Sequence, residues 1–272
     1  MFDSHTHLFD EAFDDDRETI LAQMNDLGYK AILVGFNEKT NFQAYNLSSI
    51  YNFLYPTAGL HPSDVDENYL DNLQKLRTFL KSHKVYAIGE CGLDYYWDKT
   101  YAEEQKDALK KQIDLSKQMN LPIIIHCRDA INDCYQILSE YKNINGVMHC
   151  YSGSLEMAMK FIDLGMYISL GGPVTFKNAK EPVRVAQNIP IDRLLIETDS
   201  PYLSPEPHRG KRNISLNVKY VLEKISNIRN IDIEVLEHII DENTRKLFNI
   251  QWGVIWKKDL FICLLYYFQL YF

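Results

Sequence analysis

Cysteine is scarce in this chain, at five residues in 272, and no CxxC pair or regular spacing relates the five. That excludes a cysteine-built framework. Three of them, Cys91, Cys127 and Cys150, directly follow Glu90, His126 and His149. Successive strand residues face opposite ways, so these thiols are expected to pack away from the face that their neighbours line. They read as reduced packing residues, and with no basic-then-apolar leader at the N-terminus the expected location is cytoplasmic. Basic charge is also short: 29 Lys and Arg stand against 37 Asp and Glu, a formal net charge of −8. A broad cationic surface that grips duplex nucleic acid is thereby excluded, so a polyanionic substrate needs local help from metals or a small basic cluster. Long apolar runs are missing until Leu260–Phe272, where Gln269 is the sole polar break. Thirteen residues are too few to span a bilayer as a helix, so no stable membrane insertion is expected. The division expected is a domain over 1–250 and an apolar C-terminal extension over 251–272.

What the chain does have is a recurrence of short apolar or β-branched runs with longer amphipathic stretches between them. Candidate strands are Met1–Leu8, Ala31–Phe36, Phe53–Leu60, Val85–Leu93, Pro122–Cys127, Gly146–Tyr151, Met166–Gly171 and Leu194–Thr198. Between the fourth and fifth, Tyr101–Asn120 carries Leu109, Ile113, Leu115 and Met119 among Glu, Lys and Gln, which predicts a helix stopped near Pro122. Gly28 and Gly165 stand where helices should end before the next strand. Eight strands alternating with helices predict an α/β fold, a single (β/α)8 barrel with its active site at the C-terminal ends of the strands. The rival, an open doubly wound sheet, lacks its GxGxxG loop after the first strand.

The polar residues gather where such a barrel works. His5 and His7 stand at i and i+2 on the first strand and so project from one face. Glu90 ends the fourth strand, His126 the fifth and His149 the sixth, and Asp199 follows the eighth. A carboxylate or imidazole ending a buried strand is costly unless something compensates its burial. Taken singly, each reads equally well as a hydrogen-bonded core residue; six at the ends of barrel strands read as metal ligands. Four histidines and two carboxylates exceed one tetrahedral ion and suit two divalent ions sharing a carboxylate, with Glu90 the natural bridge. Histidine with carboxylate accommodates zinc, manganese, iron or nickel, and magnesium where carboxylates and water dominate.

Other features border the same mouth. His61, in Gly59-Leu60-His61-Pro62, follows the third strand and is taken as a substrate contact. Arg128 lies two residues beyond His126 and shares its face unless an ion pair with an acid such as Asp129 claims it. Arg209, Lys211 and Arg212 follow the eighth strand, a frequent phosphate position in barrels, and there form a candidate phosphate clamp.

At this point the residues resemble a known family, the TatD-type metal-dependent hydrolases of the amidohydrolase superfamily. The resemblance runs from about Met1 to Ile250. It is carried by Asp3-Ser4-His5-Thr6-His7, Gly59-Leu60-His61-Pro62, Ala87-Ile88-Gly89-Glu90-Cys91-Gly92-Leu93-Asp94-Tyr95 and Pro122-Ile123-Ile124-Ile125-His126-Cys127-Arg128-Asp129-Ala130. It continues in Gly146-Val147-Met148-His149-Cys150-Tyr151-Ser152-Gly153, Leu195-Ile196-Glu197-Thr198-Asp199-Ser200-Pro201-Tyr202 and Arg209-Gly210-Lys211-Arg212-Asn213. The resemblance implies a TIM-like barrel, a divalent metal site at His5, His7, Glu90, His126, His149 and Asp199, and deoxyribonuclease-type hydrolysis of DNA leaving a 5′-phosphate. Within it, Glu90 and Asp199 are the expected catalytic carboxylates, Asp199 orienting or deprotonating the attacking water. Ile214-Ser215 departs from the acidic residue and proline that often follow Asn213 in the family, and the stretch after Ile250 has no counterpart in it.

The acidic balance favours a small contact footprint, hence an exonuclease on single strands or chain ends. One rival reading is a metal hydrolase of a carboxylic ester or amide, including the ester of an aminoacyl-tRNA, because barrels change substrate through their loops. The Arg209–Arg212 cluster favours phosphate over a neutral amide. The other rival is a non-catalytic metal- or partner-binding protein using the apolar tail, against which the intact six-ligand set argues.

Overall fold

The strands are buried on both faces, and the alternating direction of their side chains sorts these into an inner and an outer layer. In a computed structural model that describes residues 1–96 and 98–251, the strands are β1 (Phe2–Thr6), β2 (Lys30–Val34), β3 (Leu54–Thr57), β4 (Ile88–Asp94), β5 (Ile123–Arg128), β6 (Gly146–Met148), β7 (Met166–Leu170) and β8 (Leu194–Ile196). His5, Glu90 and His126 lie within β1, β4 and β5, whereas β6 stops before His149 and β8 before Glu197. Ile123 and Ile125 of β5 pack outward with Cys91, Leu93 and Met148, whereas Ile124 packs inward with Phe2, Ile32, Ala87, Val147, Tyr167 and Leu195. This inward set fills the lower barrel as interdigitating layers of branched and aromatic side chains do.

The helices among the described residues are α1 (Arg17–Asp26), α2 (Glu38–Ile50), α3 (Tyr69–Ser82), α4 (Ala102–Met119), α5 (Ile131–Ser139), α6 (Leu155–Asp163), α7 (Lys180–Asn188), α8 (Val218–Arg229) and α9 (Ile233–Phe248). None is long and apolar enough to cross a membrane. After α1, Gly28 takes φ +70°; its N–H reaches Asn25 O and that of Tyr29 reaches Met24 O, the paired bonds of a Schellman end. Leu247, Phe248 and Ile250, at the end of α9, join the inward apolar layer and so close the lower end of the barrel.

The ladders run β1-β2-β3 and β4-β5-β6-β7-β8, all parallel. Two seams join them into a closed ring. Between β3 and β4, Tyr86 N–H donates to Pro56 O, Ala58 N–H to Ala87 O and Gly89 N–H to Ala58 O. Between β1 and β8, Asp199 N–H donates to His5 O (3.0 Å) and His7 N–H to Ser200 O (2.9 Å). Side chains lock this second seam: Thr198 donates to buried Asp3 through its N–H (2.8 Å) and its hydroxyl (2.6 Å), and the Thr6 and Ser200 hydroxyls meet at 2.7 Å. The (β/α)8 barrel expected from the alternation is present. The apolar extension lies outside the described residues apart from Gln251.

Candidate metal centre

Strand ends around the ring bring the six expected residues together. Glu90 lies at the middle, with each carboxylate oxygen turned to a different histidine group. Its Oε1 is 2.8 Å from His149 Nε2 and 3.0 Å from His126 Nδ1; its Oε2 is 3.4 Å from His5 Nε2 and 3.9 Å from His7 Nε2. Asp199 Oδ1 closes the second group at 3.5 Å from His7 Nε2 and 3.7 Å from His5 Nε2. Gly92, two residues on from Glu90 with φ +148°, makes the approach of β5 possible. A Cβ there would stand 1.9 Å from His126 O.

The outer nitrogens decide what the inner ones are. His7 Nδ1 is 2.8 Å from Val34 O, an acceptor only, so Nδ1 carries the proton and Nε2 presents a bare lone pair. His126 Nε2 is 2.9 Å from Asp94 Oδ2, which makes Nδ1 the inward, bare nitrogen. His149 turns Nε2 to the centre, and its buried Nδ1, 3.4 Å from Glu197 Oε1, makes no hydrogen bond. Inward ring nitrogens lie against carboxylates, and against one another at 3.3 Å (His5 with His7, His126 with His149), an arrangement that protons or a cation between them would stabilise. The donor set therefore fits divalent metal, and carboxylates or carbonyls behind ligating histidines are the usual outer shell of such sites. Ligand atoms lie within 4.8 Å of one another in the groups His5–His7–Glu90, His61–Glu90–His126 and His5–His149–Glu197.

Without metal, protons take its place. Burial presses His126 toward the neutral form, but hydrogen bonds to Asp94 and Glu90 outweigh it and raise the imidazole to about 9. Burial opposes ionisation of Glu90 too, yet His149 and His61 hold it well below the usual carboxylate range. His5, buried and beside His149, is pushed down. Asp3 is pushed up to about 7 by complete burial, against the hydrogen bonds from Thr198.

Asp94, Glu197 and Asp3 stand behind this site without having been singled out as candidates in the sequence. For Asp94 the signal was present: Glu90, Gly92 and Asp94 fall at period two on β4 and share a face. The remaining candidates lie around the rim. His61 Nε2 is 3.4 Å from Glu90 Oε1. The Arg128 guanidinium lies over the Tyr96 ring, 3.6 Å from its centroid, and that of Arg209 over Phe176 at 4.2 Å. Lys211 is exposed. Arg212 meets a competitor for the role of phosphate clamp: it bonds both oxygens of Asp16 (2.9 and 2.5 Å) and the Ala12 carbonyl, tying the loop after β8 to the loop after β1. Two of the three thiols behave as the alternation requires, with Cys91 buried among outward-facing residues and Cys127 packed against them; Cys150 lies beyond the end of β6 at φ 43°, where strand alternation no longer applies.

A closed (β/α)8 barrel with four histidines and two carboxylates converging at its mouth is the site of a metal-dependent hydrolase. The family model described as TatD related DNase matches residues 2–249, and the chain belongs to that family. A Bacillus subtilis relative named as the uncharacterized metal-dependent hydrolase YabD is 43% identical over 92% of this chain and 99% of its own. A Pantoea ananatis relative named as the 3′-5′ ssDNA/RNA exonuclease TatD is 31% identical over 92% of this chain and 100% of its own. Among solved structures, the Escherichia coli TatD homologue YJJV superposes with a TM-score of 0.87 at 29% identity, covering 92% of this chain and 98% of that one.

Proposed function

We propose that the chain is a two-metal phosphodiesterase that shortens single-stranded DNA, or the single-stranded ends of longer DNA, one nucleotide at a time. The observation that carries this reading is Glu90, whose two oxygens address His126 with His149 on one side and His5 with His7 on the other. In this reading His5, His7, Glu90 and Asp199 hold one divalent ion and Glu90, His126 and His149 the other, with zinc, magnesium and manganese the candidates. Two ions held there would lower the pKa of water and stabilise charge on the attacking and leaving oxygens.

The chain's own residues do the rest. Asp199 is kept ionised by its hydrogen bond to His7 despite burial, so it can orient the attacking water and accept its proton. His61 and Arg128 face the scissile phosphate, Arg209 and Lys211 the neighbouring phosphates, and Arg212 holds their loop against Asp16. The ssDNA/RNA exonuclease name of the Pantoea relative supports the substrate class. So does the small number of cations at the mouth, which suits a short contact better than a long duplex footprint.

Cleavage of end-labelled single-stranded DNA by metal-stripped protein, titrated with magnesium, manganese and zinc, tests the reading. Stepwise shortening that EDTA abolishes and that Glu90→Ala eliminates is the expected result. An inert protein with metal bound under every condition would overturn it.

A further inference from the structure

Two thiols touch on the outer wall of the barrel, behind the strand that carries His126. Cys127 follows His126 on β5, so its side chain points outward, into the apolar layer that α5 covers. Cys134 stands one turn into α5 and is fully buried, whereas Cys127 is only partly so. The Cys134 thiol donates to the Cys127 sulfur, which also accepts the backbone N–H of Ala130, the residue before α5. Cys134 is fixed in turn by its own N–H, which reaches Ala130 O at 2.9 Å. Cys91, the third thiol of the same layer, donates instead to Ile124 O at 3.6 Å. Hydrogen-bonded sulfurs stand on the order of 4 Å apart and disulfide sulfurs about 2 Å, so closure asks about 1 Å of each.

We propose that Cys127 and Cys134 are a hydroperoxide-reactive pair that closes into a reversible disulfide, and that closure draws His126 out of place. Cys127 reacts first, because Cys134 is fully buried. Its sulfur bonds to the outer oxygen of the hydroperoxide, the O–O bond breaks, and the thiol proton goes to the leaving alkoxide or hydroxide. The sulfenic acid so formed faces Cys134, whose sulfur displaces its hydroxyl; that hydroxyl leaves as water with the Cys134 proton. Two thiols thereby lose two electrons to one hydroperoxide, and a dithiol returns them by exchange. The new bond is shorter than the contact it replaces, and its pull falls on the end of β5. There His126 meets Glu90 Oε1 at 3.0 Å and Asp94 Oδ2 at 2.9 Å, so a small displacement weakens both contacts.

The test treats the folded full chain with hydrogen peroxide, alkylates the remaining thiols and cuts with trypsin. Cleavage after Arg128 puts Cys127 on the peptide that ends there and Cys134 on the peptide Asp129–Lys142. The expected product is these two peptides joined through their cysteines and separated again by dithiothreitol. Both thiols recovered alkylated, a lasting sulfinic acid on Cys127, or a link from either to Cys91 overturns the pairing. Zinc, which peroxide does not oxidise, then reports on His126 by competition with a chelator. Oxidised wild type is expected to bind zinc about 10–100-fold more weakly than reduced, as when a ligating histidine loses its orienting partner, and to recover in dithiothreitol. Peroxide is expected to leave the zinc affinity of Cys134→Ser unchanged; Cys134→Ala replaces it if a hydroxyl among apolar neighbours unfolds the chain. Equal affinity in oxidised and reduced wild type overturns the coupling to His126. A reduced wild type that holds no zinc would sink the metal-centre reading instead, while the joined peptides still decide the disulfide.

Discussion

The Asp94 carboxylate holds His126 by its Nε2 at 2.9 Å, so His126 meets Glu90 through Nδ1 whereas His5, His7 and His149 turn Nε2 inward. The shorter reach of Nδ1 from the backbone sets how deep β5 must sit, and Gly92 leaves room for it. Asp94→Ala is expected to weaken metal binding by about 10–100-fold, the usual effect of losing an outer-shell partner. Asp94→Asn, which keeps an acceptor oxygen, should lose much less. Competition with a chelator of known affinity measures both.

If His126 holds a metal, proton and metal compete for it. Its imidazole is raised to about 9 in the metal-free fold against an ordinary value near 6.5, so the folded state binds the proton more tightly than the unfolded one. That contribution to stability is fully present below pH ~6.5 and is lost as pH rises through about 9. Metal-stripped protein should therefore melt at lower temperature as pH climbs across this window. Metal affinity should move the opposite way, rising with pH as the displaced proton becomes easier to remove. Calorimetry in buffers of different ionisation enthalpy should register proton release on metal binding near pH 7 and little above pH ~9.

Asp3 is a structural lock and not a ligand. Asp3→Ala leaves the Thr198 N–H and hydroxyl without their buried acceptor. At about 1–3 kcal/mol for each stranded group, the expected cost is on the order of 2–5 kcal/mol. Asp3→Asn keeps an oxygen toward the N–H and offers its amide to the hydroxyl, so it should retain most of the stability. Denaturant unfolding of the two variants separates the cases.

The Arg212–Asp16 pair distinguishes holding a loop from holding a substrate. Both partners are part-exposed, 33% and 42%, so either alanine variant should cost less than about 1 kcal/mol of stability. If Arg212 acts by tying the loop, Asp16→Ala raises KM for single-stranded DNA as much as Arg212→Ala, and the double variant adds little. A rise confined to Arg212→Ala would mean that the guanidinium contacts phosphate directly.

The eight strands and the six residues that converge at the mouth were legible in the sequence because both obey a local rule. Buried strands read as apolar runs, and a charged or imidazole side chain ending such a run stands out. Strand limits were less legible: nothing local separates Thr198 from Ile196, and the ladder ends there because Thr198 turns its N–H to Asp3, 195 residues away. Glu197 and Asp3 escaped for the same reason, since each matters through a partner on another strand. Arg212 is the converse case. Its run of cations is visible locally, but the acid that occupies it, Asp16, lies 196 residues earlier.

The closing seam also sets a schedule. Thr6 and Ser200, which meet across it, are 194 residues apart in the chain, so at roughly 5–20 residues per second a ribosome needs on the order of 10–40 s between them. Throughout that interval His5 and His7 have been made and Asp199 has not. A half-made chain offers imidazoles to any passing ion but lacks the carboxylate that closes their side of the centre. A centre that needs Asp199 is thus completed only when synthesis of the barrel is nearly finished.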